Sequence, residues 1–366
     1  MNEITQIRPE GVPAEPKILS ELIVDANSRF EAREDGLWFI EKKSGKDGKK
    51  IEVPQRLTFG PFNVAGFLVP LDGDNQRGLL VRIGSREITV PRAAVAKEAD
   101  VAVWLADHGV RFDSRKKGPL ALYFSMADAT RITAYTRNGW QRDGAFVVGD
   151  RIIHGEGRVL KTQANLTTFE ARGTYEEWRQ SVLPLAARKP GWLFGVLVGL
   201  SSPLLEPLGL ATGYGFNLHG ATSTGKTIAL QAAAGVWGRP DAQGCLKSFN
   251  TTVNAIEGLA EGHSHLGLVL DEMKKADPRV IRESIYMLAN GQGKERMKSN
   301  AEMQRHRIWQ INTFVSSEKT VEDLFDASDE NQAAGQVIRF IDIDGGPLLP
   351  DLPLEQDPMQ VWRAKC

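Results

Sequence analysis

Residues 220–227 have the composition and spacing of a phosphate-binding loop. They are Gly220, Ala221, Thr222, Ser223, Thr224, Gly225, Lys226 and Thr227. In this pattern the glycines let backbone N–H groups approach phosphate oxygens, the lysine reaches the β and γ phosphates, and the last hydroxyl binds Mg²⁺. The sequence therefore predicts that this loop holds a nucleoside triphosphate with Mg²⁺. The alternative is a glycine-rich turn with an incidental lysine.

An acidic pair follows the loop at a distance that suits a partner in hydrolysis. Residues 266–270 are apolar throughout, as in a strand buried in a parallel sheet, and they end at Asp271 and Glu272, about 45 residues after Lys226. Asp271 can hold Mg²⁺ together with Thr227, and Glu272 can orient and deprotonate an attacking water. The pair predicts hydrolysis of the nucleotide by water, with two surface acids after a core strand as the alternative.

The next apolar run ends in two serines. Residues 308–315 predict a core strand, and Ser316 and Ser317 follow it. Either hydroxyl could contact the γ-phosphate or the attacking water, although serines at a strand end are also ordinary turn residues. Asn312 is less suited to this role because it lies in the middle of the predicted strand.

The elements around these residues predict an α/β fold. From residue 213 the order is strand, loop, helix, strand, helix, strand, which builds a parallel sheet flanked by helices. The first half alternates short strands at 36–40 and 78–83 with helical spacing at 95–109 and 120–135, and residues 44–50 predict a hairpin turn. Thr174 and Glu177 have the spacing of a capping box that begins a helix. We predict a polar segment at 1–28, an α+β accessory domain at 29–172 that could bind nucleic acid or a partner, the ATPase domain at 173–345 and a proline-rich tail at 346–366.

Composition limits the classes of function. The chain of 366 residues is 42% hydrophobic and 25% charged with a net charge of -1, which is typical of a globular protein. Cys245 and Cys366 have no metal-ligand spacing, which argues against a zinc site and favours a reducing, cytoplasmic location. The apolar residues 191–205 are too few for a membrane span and predict a buried helix.

Several strings of residues resemble those of the domain-of-unknown-function 927 family of mobile-element and phage replication proteins, which is related to AAA+ and superfamily III helicases. The resemblance extends over about residues 29–344. Its matching strings are Gly139-Trp140, Gly173-Thr174, Glu177-Trp178-Arg179, residues 220–227, Val236-Trp237-Gly238, Asp271-Glu272, residues 288–294 and residues 335–339. The most specific is the Ala-Asn-Gly-Gln-Gly-Lys string at 289–294, since no general fold requirement demands it.

The resemblance implies an AAA+-like P-loop NTPase core. It also implies a ring-forming, ATP-driven DNA motor, a hexamer with ATP bound between subunits. Arg339 is then the arginine that completes the site of a neighbouring subunit, unless it is a strand-edge residue paired with Asp342 or Asp344. Residues 291–307 would form a hairpin that contacts single-stranded DNA without reading its sequence, through Lys294, Arg296 and Lys298. Arg305 and Arg307 add to the basic character of this stretch, which could also be a solvated face.

Family members usually continue into a helical lid beyond the arginine strand, whereas only residues 345–366 follow it in this sequence. The resemblance therefore implies ATP binding more strongly than it implies DNA unwinding. The alternative function is a nucleotide-binding regulatory or assembly ATPase that does not unwind DNA. A small-molecule kinase is disfavoured, because the acidic pair supplies a base for water.

Overall fold

The computed structural model describes residues 17–45, 47–71, 77–127, 129–160, 169–187, 190–222, 224–294, 306–326 and 339–345. The chain divides into two compact units, Met1–Ala134 and Tyr135–Cys366. The predicted tail at 346–366 lies outside the described residues. Within the described part of the chain, no helix combines the length and the apolar character that a membrane crossing needs.

The first unit is an α+β unit, as the sequence predicts. Its elements in order are β1 Ile18–Asp25, β2 Ser28–Arg33, β3 Gly36–Ser44, β4 Lys50–Arg56, β5 Thr58–Phe59, β6 Phe62–Pro70, β7 Gly78–Ile83, β8 Arg86–Pro91, α1 Glu98–Asp107, β9 Arg111–Phe112, α2 Lys117–Met126 and β10 Arg131–Tyr135. Strands β1 to β4 form an antiparallel meander, and the β3–β4 connection confirms the hairpin predicted at 44–50. Strands β6 to β8 are antiparallel, and β10 runs parallel to β6.

Two predictions for this unit are wrong. The helix expected over 120–135 ends at Met126, and β10 follows, because Ile132, Thr133 and Tyr135 favour a strand and their segment pairs with β6. The segment expected to be polar, 1–28, contributes β1, since Leu22 and Val24 pack against the apolar core.

The second unit contains the predicted parallel sheet. Its elements in order are β11 Gly139–Trp140, β12 Phe146–Val148, β13 Arg151–His154, β14 Arg158–Val159, α3 Tyr175–Ser181, α4 Leu183–Ala187, α5 Pro190–Ser201, β15 Gly215–His219, α6 Lys226–Ala234, β16 Leu246–Ser248, α7 Val253–Gly262, β17 Leu268–Asp271, α8 Pro278–Asn290, β18 Thr313–Ser316, α9 Val321–Asp326 and β19 Phe340–Asp344. The sheet has the order β16-β17-β18-β15-β19, and every pair of neighbours is parallel.

Alternation along the strands places helices on both faces of this sheet. Val269 and Phe314 pack on one face with Val196 of α5 and Leu230 of α6. Their neighbours in sequence pack on the other face, where Leu270 and Val315 meet α7 and α8. The sheet is therefore covered on both sides, as the order of elements predicts.

The boundary between the units differs from the predicted one at 172/173. Phe146, Val148 and Phe169 belong to the same apolar cluster as Trp192 of α5 and Leu230 of α6. Burial of these side chains joins the described residues of this stretch, 135–160 and 169–172, to the second unit, although their short strands resemble those of the first unit. The helix α3 begins as predicted, because Thr174 and Glu177 form a complete capping box.

Candidate nucleotide site

The glycine-rich loop connects β15 directly to α6. Strand β15 ends at His219, Gly220 follows with φ 144°, and Gly225 has φ 91° as the residue before α6. These backbone conformations are open to glycine and costly for other residues. The loop therefore delivers Lys226 as the first residue of α6 and Thr227, which is exposed, as the second. The N-terminus of a helix in this position attracts anions.

Side chains of the loop are engaged with the loop itself and with one acid. The Lys226 Nζ donates to the carbonyl oxygens of Gly220 (2.9 Å) and Ala221 (2.6 Å). The Thr224 hydroxyl donates to the Ala221 carbonyl at 3.1 Å, and the Thr222 hydroxyl donates to Glu318 Oε1 at 2.9 Å. Sequence reasoning did not single out Glu318, although it directly follows the predicted serine pair. Ser223 lies outside the described residues.

The acidic pair lies at the carboxyl edge of the same sheet. Strand β18 separates β17 from β15, and Ser316 at its end stands opposite Leu218 in register. The Asp271 Oδ1 accepts hydrogen bonds from the Ser316 hydroxyl and from the Glu272 N–H at 2.8 Å. The structure thus brings Asp271 and Ser316 together beside the strand that leads into the loop.

Glu272 has an unusual backbone and a cationic partner. Its φ is 63°, and among the described residues only His265 is another non-glycine residue with positive φ. Such conformations cost free energy and are frequent at functional sites. The Glu272 carboxylate is half-exposed and forms an ion pair with Lys275, three residues further on. Sequence reasoning missed Lys275, although its spacing from Glu272 could have indicated the contact.

The structure distinguishes between the polar residues considered for the third position. The Ser317 hydroxyl donates to the Lys319 carbonyl, so it is engaged in the turn that follows β18. Asn312 lies before β18 at the opposite edge of the sheet, where its Oδ1 accepts from the Tyr214 N–H at 2.8 Å. Ser316 is the residue of this group whose hydroxyl meets the acidic pair.

The basic segment begins and ends as an antiparallel ladder. Gln292 and Ile308 form an antiparallel bridge, and the Gly293 N–H donates to the Arg307 carbonyl at 2.9 Å. Lys294 is largely exposed and forms an ion pair with Glu283 of α8 at 2.7 Å. Arg296 and Lys298 lie outside the described residues, as does Arg305.

Arg339 lies at the other edge of the sheet from the glycine-rich loop. It directly precedes β19, which runs parallel to β15, so the five residues of β19 separate it from the loop edge by about 16 Å. Its guanidinium donates to the carbonyl oxygen of Ala289 at 2.8 Å and to the Thr212 hydroxyl at 3.3 Å. Of the two acids named as its alternative partners, Asp342 and Asp344, Asp342 instead accepts from Asn217 at 2.6 Å.

Two further titratable side chains of this unit are unsuited to proton transfer near neutral pH. Burial raises the pKa of the Cys245 thiol to about 12, so the thiol stays protonated. Burial lowers the pKa of His263 to about 4, so its ring stays neutral. The His263 Nδ1 lies 2.8 Å from the Leu259 carbonyl within α7, which is a structural contact.

Comparison with known proteins identifies the family. A family model described as a domain of unknown function (DUF927) matches residues 30–308, so the chain belongs to this family, as its sequence strings indicate. None of the curated proteins matches the chain.

Two solved structures are similar to the chain to different degrees. One is titled "SCCmec type IV Cch - active helicase" and has a TM-score of 0.64 and a sequence identity of 18%. The match covers 86% of this chain and 58% of the solved chain. A second, "The A form apo structure of NrS-1 C terminal region-CTR", has a TM-score of 0.37 and 12% identity over 83% of this chain and 62% of its own. The chain therefore spans about three fifths of each and has a mixed α/β fold similar to that of the first.

Proposed function

We propose that the chain is an ATP-dependent DNA helicase or translocase of a mobile element or phage that hydrolyses ATP at sites between the subunits of a ring. The observation that carries the proposal is the arrangement at the carboxyl edge of the parallel sheet. There Lys226 begins α6 after the loop, and β18 alone lies between the strand that leads into the loop and the strand that ends at Asp271, whose carboxylate accepts a hydrogen bond from Ser316. A phosphate loop next to an acidic strand end is the arrangement of P-loop NTPases.

The residues present suit a nucleoside triphosphate with Mg²⁺. The left-handed Gly225 and the first turn of α6 offer backbone N–H groups to an anion. The Thr227 hydroxyl and the Asp271 carboxylate are oxygen ligands of the kind that Mg²⁺ prefers. When bound, Mg²⁺ would neutralise charge on the phosphates.

The protein's own groups would carry out distinct parts of the reaction. Lys226 would exchange the loop carbonyls for phosphate oxygens and stabilise the charge that develops on the γ-phosphate. Glu272 would orient and deprotonate the attacking water, for which its carboxylate must leave Lys275. The Ser316 hydroxyl would hold the Asp271 carboxylate in place.

Arg339 supports an assembly in which a neighbour completes each site. Because it lies about 16 Å from the loop edge of its own chain, it can reach only a loop on another subunit. Its present bonds to Ala289 and Thr212 hold it at the C-terminal end of α8.

Mixing two inactive variants tests the role of Arg339 directly. Arg339→Ala and Lys226→Ala chains should each hydrolyse ATP far more slowly than the unmodified chain. An equal mixture should regain activity, because about a quarter of the ring interfaces would combine an intact loop with an intact Arg339. ATP hydrolysis by the mixture is the measurement, and a mixture no faster than the average of its components would contradict a role in trans.

The DNA-binding role of Lys294 predicts a specific loss. Its ion pair with Glu283 is exposed, and such pairs are weak enough for a phosphate to replace the carboxylate. Lys294→Ala should reduce the stimulation of ATP hydrolysis by single-stranded DNA and lower the salt dependence of DNA binding by about 0.7 in the log–log slope.

The matched control is Glu283→Gln, which removes the partner and leaves Lys294 in place. Because the cation is then released, this variant should bind single-stranded DNA as well as or better than the unmodified chain. DNA affinity is measured by fluorescence anisotropy at several salt concentrations. If Lys294→Ala changes neither affinity nor stimulation, Lys294 has no part in DNA binding.

One observation favours the alternative of a regulatory or assembly ATPase that does not unwind DNA. Lys226 and Glu272 are both engaged with other groups of the chain, namely the loop carbonyls and Lys275. A nucleotide-binding switch with slow hydrolysis would have this property. It predicts ATP binding without any stimulation by DNA.

A further inference from the structure

Arg307 connects the hairpin base, meaning the paired residues 291–293 and 307–309, to α7. Its Nε lies 3.2 Å from Glu261 Oε2, and its Nη1 lies 3.8 Å from Glu257 Oε1. The two acids are four residues apart on α7, so they present their carboxylates on one face of the helix. The Glu257 side chain is 1% exposed and that of Glu261 10% exposed, so both acids are removed from solvent.

The opposite strand of the hairpin base rests on the same carboxylate. A Cβ atom built at Gly293 would lie 2.4 Å from Glu257 Oε1, so the backbone at Gly293 closely approaches this acid. The Gly293 N–H donates to the Arg307 carbonyl at 2.9 Å, and the His306 Nε2 lies 3.0 Å from the Gly293 carbonyl. Both strands of the base thus meet at Glu257.

The other end of α7 begins beside the acidic strand. Ser248 at the end of β16 is in register with Asp271, and the Phe249 N–H donates to the Asp271 carbonyl at 2.8 Å. Thr252 then caps α7 by accepting from the Ala255 N–H at 3.2 Å. Helix α7, with ten residues and a length of about 15 Å, therefore extends from the neighbourhood of Asp271 to the hairpin base.

This connection is packed along its length. Phe249, before α7, is fully buried in one cluster with Ile256 and Ala260 of the helix and Leu270 of β17. A helix held in this way moves as a unit with its neighbours, since packed interiors transmit displacement. A shift of the Asp271 strand end would therefore move the Glu257 and Glu261 carboxylates.

We infer that Arg307, held by Glu257 and Glu261, is a positioning residue that couples the DNA-binding hairpin to the nucleotide site through α7. The inference rests on the proposed function. Two buried carboxylates neutralise Arg307, so it holds the hairpin base and leaves contact with DNA phosphates to Lys294. Coupling of this kind is reciprocal: DNA on the hairpin changes the nucleotide site, and nucleotide changes the affinity for DNA.

Removal of one charge tests the coupling. Glu257→Gln keeps the size of the side chain and should reduce the stimulation of ATP hydrolysis by single-stranded DNA about fivefold or more, while the rate without DNA stays unchanged. Arg307→Gln should lose the same coupling, and the double variant should lose no more than either single one, because both remove one contact. Arg279→Gln, at an exposed position on α8, is the control for loss of a positive charge and should behave like the unmodified chain.

The results separate coupling from direct DNA contact. If Arg307 touches DNA, Arg307→Gln will weaken stimulation while Glu257→Gln leaves it equal or stronger, and this result overturns the inference. Glu261→Gln, at the more exposed acid, carries the same expectation should thermal unfolding show that Glu257→Gln does not fold. If single-stranded DNA does not stimulate ATP hydrolysis by the unmodified chain, both the proposed function and the inference are contradicted. If DNA stimulates Glu257→Gln and the unmodified chain equally, only the inference is overturned.

Discussion

Lys226→Ala is expected to lower the rate of ATP hydrolysis by about 10²- to 10³-fold. This is the usual effect of removing one positioned cation or hydrogen-bond donor that stabilises the negative charge of a transition state. The physical reason is its position as the first residue of α6, from which its Nζ already reaches the Gly220 and Ala221 carbonyls across the loop. Steady-state ATP hydrolysis and the affinity for a fluorescent ATP analogue are the measurements. Both should fall, because the lysine contacts the bound phosphates as well as the reacting one.

Lys97→Ala is the matched control for this variant. Lys97 is exposed, lies before α1 in the first unit, and makes no side-chain cap there. Thermal unfolding of the two variants should be similar to that of the unmodified chain, since Lys226 is only partly buried. If Lys226→Ala hydrolyses ATP at the rate of the unmodified chain, the glycine-rich loop is a structural turn and does not bind the phosphates.

Glu272→Gln is expected to remove hydrolysis while ATP binding is kept. A general base contributes about 10²- to 10⁴-fold to a rate, and glutamine cannot accept the proton of water. The substitution preserves side-chain size and places no new demand on the left-handed backbone, so the fold should be retained. Single-turnover hydrolysis together with ATP affinity separates the chemical step from binding.

Glu322→Gln, at an exposed position in the first turn of α9, is the control for the loss of one carboxylate. It should hydrolyse ATP like the unmodified chain. If Glu272→Gln also retains full activity, Glu272 serves only as the ion-pair partner of Lys275, and another group must activate water.

The sequence predicted the loop and its acidic partner because these depend on local backbone requirements. Gly220 and Gly225 have positive φ, which glycine adopts readily, so the residue type alone indicates a tight loop. The apolar run that ends in Asp271 predicts a buried strand without information from the rest of the chain. The parallel order of the sheet follows from the alternation of strands and helices. Pairing of Asp271 with Ser316 was within reach of the same reasoning, since both follow strands of one sheet.

The contacts that the sequence did not predict depend on long-range packing. In the sequence, Arg307 is one of several cations in a basic stretch. Its contacts with Glu257 and Glu261 arise because the fold places α7 beside it. The unit boundary after Ala134 also depends on long-range packing, because it is set by which apolar core buries Phe146 and Phe169. Neither fact is encoded in the spacing of neighbouring residues.

ATP hydrolysis by the unmodified chain, measured with and without single-stranded DNA at several salt concentrations, tests the proposed motor function most directly. We expect DNA to raise the rate, and we expect the stimulation to weaken as salt increases, since phosphate contacts depend on the release of counterions. Hydrolysis at one rate with and without DNA, at every salt concentration, would contradict an ATP-driven action on DNA.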